Sequence, residues 1–271
     1  MRGQVANPPA LRAYRSLSTT ALKSLLAYRL QFFMALLGNS FLMLTMLYLW
    51  RTILASGAQA GFSWPQMKAY LLVAFVCNSV VSGYTEWRMA ARIRDGMVAI
   101  DLTKPIDYQR ARYAEALGFS VFEYFSALLL VLVALTVFGG VPVPHGMHLL
   151  LFLISMLLLL PLKFSVAYAT ALLCFWTQNY MGISWARAAV TNLMSGALIP
   201  LQFFPGWLEV IAKVLPFQSM AYTPAMLYLD RFSVRDALLA VLVQLIWVVA
   251  LWFGAAAAWR AASRRLTVHG G

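Results

Sequence analysis

The stretch MHLLLFLISMLLLLPLKFSVAYATALLCF, residues 147–175, carries one formal charge, Lys163, in 29 residues. A helix rises 1.5 Å per residue, so about 20 apolar residues cross the roughly 30 Å hydrocarbon layer of a bilayer. This run exceeds that length and is apolar on every face, as lipid or a fully buried position requires. Runs of the same kind recur at 30–50, 67–87, 113–138, 183–204 and 237–259. Hydrophobic residues make up 62% of the chain and charged residues 11%, with a mean hydropathy of +0.75. A water-soluble fold with about 25% charged residues is thereby excluded, because too little polar surface remains to cover its core. The expected fold is an all-α integral membrane protein with six transmembrane helices, forming one domain over residues 1–271.

The net charge of +12 could suggest nucleic acid, but the basic residues gather at the ends of the apolar runs. That distribution is topogenic and argues against nucleic-acid binding. Fifteen Lys and Arg fall on one side, at the N-terminus, residues 88–112, Arg187 and the C-terminus, against five on the other. Both termini are therefore expected in the cytoplasm, with the chain multi-pass in the membrane. The first apolar run is too long for a signal-peptide core and no A-x-A site follows it, so no cleaved leader is expected. Residues 1–29 project Tyr14, Leu17, Ala21, Leu25 and Tyr28 on one face and Arg12, Arg15 and Lys23 on the other, the pattern of an interfacial helix, with a solvated basic tail as the alternative.

Catalysis finds little support. His145, His148 and His269 form no H-x-x-x-H or H-E-x-x-H pattern. Cys77 and Cys174 lie in separate apolar runs with no CxxC, so packed thiols are expected rather than a disulfide or zinc site. No G-x-x-x-x-G-K-[ST] occurs, and Gly-Lys never appears. The chain is expected to bind no cofactor of its own, and any ATP-driven work would need a second subunit.

Three regions stand out. Glu123 and Lys163 fall at similar depths in neighbouring runs, where a pair would spare each an unpaired burial. Such a pair either locks two helices or serves transport, and locking is the simpler reading. Residues 88–112, RMAARIRDGMVAIDLTKPIDYQRAR, hold six basic and three acidic residues around a small apolar set. Gly96 and Pro105 interrupt the helix there. Met97, Val98, Ile100 and Leu102 are expected to pack back toward the bilayer, with Asp95, Asp101, Lys104 and Asp107 in solvent. A mixed-charge helix under the membrane suits docking of a soluble partner, and a plain topogenic loop is the alternative. Glu86 and Glu115 are expected near the interface, within reach of water. Finally, Gly196, Pro200, Pro205, Gly206, Pro216 and Pro224 cut residues 196–228 into apolar pieces too short to span. These read as re-entrant or interfacial helices, with 205–236 as the extracytoplasmic region.

Together these regions resemble the type-2 (ABC-2) exporter family of ABC transporter permeases, especially a bacterial branch close to this chain in length. The resemblance rests on Ala27-Tyr28-Arg29, on Ile93-Arg94-Asp95-Gly96 through Thr103-Lys104-Pro105-Ile106, on Gly196 to Pro205, and on Leu215-Pro216-Phe217 with Tyr222-Thr223-Pro224. It implies an N-terminal interfacial helix, a coupling helix within Arg94, Asp95, Gly96, Asp101, Lys104, Pro105 and Asp107, and re-entrant helices before the last span. It also implies two copies of a partner ABC ATPase, which would hold ATP and magnesium, and a second permease chain, identical or related. An exporter permease is the expected function. An ion-gradient-coupled secondary transporter would instead show broken helices in matching halves and further midplane acids. A non-transport membrane scaffold is the third possibility.

Overall fold

Polar residues start several of the helices. The side chain of Asp107 accepts from Arg110 N–H at 2.8 Å, that of Asn179 from Gly182 N–H at 3.2 Å, and that of Ser233 from Asp236 N–H at 3.1 Å. Each satisfies a backbone donor that the first helical turn leaves open. The computed structural model describes residues 8–27, 29–57, 61–81, 83–177 and 179–264, with the side chains of 8–10, 25–27, 29–33 and 35 left out. Arg2, Tyr28, Arg265 and His269 lie outside the described residues, as do the side chains of Leu25 and Arg29.

The helices are α1 (Pro8–Ala27), α2 (Arg29–Ala55), α3 (Trp64–Ser79), α4 (Gly83–Arg94), α5 (Val98–Leu102), α6 (Tyr108–Phe138), α7 (Gly146–Leu172), α8 (Tyr180–Met194), α9 (Gly206–Val214), α10 (Tyr222–Tyr228) and α11 (Val234–Ser263). Among the described residues, four elements are long and apolar enough to cross a membrane: Trp64–Arg94, Tyr108–Phe138, Gly146–Phe175 and Val234–Ser263. This overturns the expectation of six spans. The apolar run at 183–204 fails because helix α8 ends at Met194 and Gly196 turns the chain with φ +75°. Fifteen helical residues cover only about 22 Å, short of the hydrocarbon thickness. The run at 30–50 forms α2, whose described part is diluted by Asn39, Ser40, Thr45, Arg51 and Thr52.

Packing follows from the apolar stripes. Helix α7 lies along α11, α4 along the end of α7, α1 along α6, and α10 against both α3 and α7. The element Trp64–Arg94 is mostly buried, more so than the other three. Phe125, Leu132 and Val137 on α6 and Phe253 on α11 stay exposed, as lipid-facing positions do. On α1, Ala21 is buried and Tyr14 and Leu17 half-buried, while Arg12, Arg15 and Lys23 are exposed. The approach of α1 to α6 is close because Gly118 has no side chain: a Cβ there would strike the backbone of Ser18.

Helix α10 is buried from Tyr222 to Leu227, whereas α9 turns Trp207, Val210 and Val214 outward. Long polar side chains satisfy backbone carbonyls across the bundle. Lys68 donates to Phe138 O and Gly139 O, both at 2.8 Å, at the end of α6. Tyr70 donates to Gly196 O at 2.7 Å, and Gln244 to Ser155 O and Ser219 O at 3.1 and 3.0 Å.

Candidate functional site

The loop between the first two long elements begins where Gly96, at φ +70°, lets the chain leave α4 in a left-handed turn. Helix α5 follows, and its Asp101 is buried rather than solvated. Arg92 grips it with two hydrogen bonds of 2.7 Å, Lys104 adds one of 2.9 Å, and Arg112 lies at 3.7 Å. Arg112 is itself buried, paired to Glu115 at 2.9 Å and set over the Tyr108 ring. Burial alone would raise the Asp101 carboxyl. The bonds from Lys104 and Arg92 and the charges of Arg112 and Arg92 outweigh it and hold the group below its usual value. One acid thus ties α4, α5 and the start of α6 into a single bracket.

The other loop residues sit differently. Arg94, Asp95, Lys104 and Pro105 are exposed. Asp107 is exposed but engaged, capping α6 while its N–H donates to Tyr14 Oη of α1 at 3.3 Å. Of the apolar set, only Val98 packs inward; Met97 is 40%, Ile100 53% and Leu102 48% exposed. The bracket therefore presents an apolar edge outward on a rigid support.

Deeper in the bundle lies a second set of ionic contacts. Glu86 of α4 has no solvent exposure, against the expectation that water reaches it. Arg187 of α8 pairs with it at 2.7 Å and Tyr180 donates to it at 3.2 Å. The sequence counted Arg187 only toward the basic side, and 101 residues separate it from its partner. The signal was there in kind: an Arg inside an otherwise apolar helix needs an acid.

Glu123 of α6 acts electrostatically on Lys163. Nonetheless the direct partners of Lys163 are Cys77 O and Asn78 O, both at 2.9 Å. These carbonyls belong to the last turn of α3, which loses its helical acceptors' partners where Val80 turns extended and Val81 adopts φ +49°. Lys163 thus caps the end of α3 at its break from α4.

Of the re-entrant set, Gly196 carries the carbonyl that Tyr70 grips, and Pro200 and Pro205 precede a single 3-10 turn (Leu201–Phe203) and α9. Pro216 and Pro224 are buried beside α3 and α7. These residues lie apart from the bracket at α5. Cys77 and Cys174 are free thiols. Among the described residues no three His, Cys, Asp or Glu side chains cluster to hold a metal.

A family model described as ABC-2 family transporter protein matches residues 36–270. No curated protein matches the chain.

Proposed function

We propose, on the premise that the chain belongs to the ABC-2 transporter family, that it is the membrane-spanning permease subunit of an ATP-driven exporter. It lines the substrate path together with a second permease chain, and a separate ATPase subunit drives it. The reading rests chiefly on helix α5. A five-residue helix is too short to be stable alone, yet the Asp101 bracket fixes it to two long elements. An apolar edge held rigidly and left uncovered is what a soluble partner can dock on. Motion imposed there passes to α4, and through Glu86 and Arg187 to α8. The excess of basic residues supports a cytoplasmic position for this end of the molecule, where ATP is.

The test is recruitment of a P-loop ATPase by the intact chain. Met97→Glu with Ile100→Glu charges the docking edge without touching Asp101, and should reduce co-purified ATPase about tenfold while leaving membrane insertion unchanged. A pull-down that never yields an ATPase would sink the permease reading. Unchanged recruitment by the double variant would reduce the loop to a topogenic signal.

A further inference from the structure

A cavity of about 490 Å³ opens between α4, α7 and α8. Its wall carries two cations, Lys163 and Arg187, and among the described lining residues there is no acid. Their counterions stand elsewhere: Glu86 is fully buried, and Glu123 reaches Lys163 from α6. The hydrogen-bonding capacity of this wall is not used up. Arg187 Nε has no partner, and neither has Thr191 Oγ1, although Thr191 is only 6% exposed. Both atoms lie behind the cavity surface, but the Arg187 side chain as a whole is 23% exposed, so its outer guanidinium face can meet a ligand with acceptor oxygens. The remaining wall is aromatic. Trp87 and Trp185 are 44% and 71% exposed, and Tyr84 stacks on Trp87 with ring centres 6.1 Å apart. Such rings accept an apolar chain or ring at low entropic cost.

We infer that this cavity binds an anionic amphiphile, its phosphate- or carboxylate-type head toward Lys163 and Arg187 and its apolar part along Trp87 and Trp185. Calling that ligand the transported substrate rests on the permease reading; the binding itself does not. The head could belong to a membrane lipid or to a water-borne amphiphile, since the recognising groups are the same.

Calorimetric titration of the full chain in zwitterionic nanodiscs separates these. Dodecyl phosphate should bind saturably, with inorganic phosphate and dodecyl maltoside each at least about tenfold weaker. Glu86→Gln with Arg187→Gln removes the cation without orphaning its buried acid, and should weaken dodecyl phosphate about tenfold. If that pair of changes prevents folding, Trp87→Ala with Trp185→Ala tests the aromatic wall at exposed positions and should have an effect of the same order. Phosphatidylglycerol added to the nanodisc names the source: competition identifies membrane lipid, and lack of competition a water-borne ligand, either one supporting the site. Equal binding of dodecyl maltoside, or unchanged binding in both folded variants, would overturn it. The Trp pair should still recruit ATPase, so loss of binding and loss of partner remain distinct results.

Discussion

Asp101 is 5% exposed and serves three basic side chains at once. Arg92 and Lys104 still reach solvent, but Arg112 does not. Replacing Asp101 with Asn would remove the carboxylate that Arg92 and Lys104 share, leave the buried Arg112 with Glu115 alone, and loosen α5. We expect a loss of about 3 kcal/mol, the lower end for a broken buried pair, because two of the cations can rehydrate. The sign of the pH dependence follows from the lowered folded value. The stabilisation is fully present above the ordinary aspartate value of about 3.9 and is lost as pH falls through the lower folded one. Thermal midpoints of the wild type and Asp101→Asn should thus differ by a constant amount from pH 8 to 5 and converge well below pH 4. Convergence already near neutrality would mean that Asp101 is not held as an ion.

At the scale of elements, the instructive case is the break between α3 and α4. Apolar content made residues 67–87 legible as membrane-embedded, since hydropathy depends only on composition along the run. The break itself went unread: Ser82-Gly83 is a turn signature, but it sits inside an apolar run, and the partner that tolerates the break, Lys163, comes about 85 residues later. The same logic explains the two errors at residues 88–112 and Glu86. A charged side chain reads as solvated until the cation that buries it is known, and Asp101 and Glu86 are both buried by partners on other elements. Proline and glycine, by contrast, act locally, so the pieces around Pro200, Pro205, Pro216 and Pro224 were readable in place. Lys163→Met tests the cap. It leaves Cys77 O and Asn78 O without a donor in an apolar setting, at about 1–3 kcal/mol for each lost partner. The detergent-solubilised variant should melt measurably earlier, with Lys163→Arg intermediate. A variant as stable as wild type would show that the cap on these two carbonyls contributes nothing to stability.

For the whole molecule, the strongest constraint is the direction of helix α6. It starts at the Asp101 bracket and ends at Gly139, where Lys68 holds its last carbonyls. A helix of 31 residues is about 46 Å long, so its two ends lie on opposite faces of any bilayer it crosses. The basic end carries α5, and the other end carries the turn at 139–145 that leads into α7. Single cysteines report these faces directly once Cys77 and Cys174 are replaced by Ala. Ile100→Cys on α5 is 53% exposed at the wild-type side chain, and Val143→Cys in the turn is 60% exposed. In intact cells an impermeant maleimide should label Val143→Cys and spare Ile100→Cys until the membrane is permeabilised. The reverse pattern would put α5 outside, beyond the reach of any ATP-hydrolysing subunit, and the docking role of its apolar edge would fall with it. Labelling of both from one side would be harder on the fold, since it would mean that α6 does not cross.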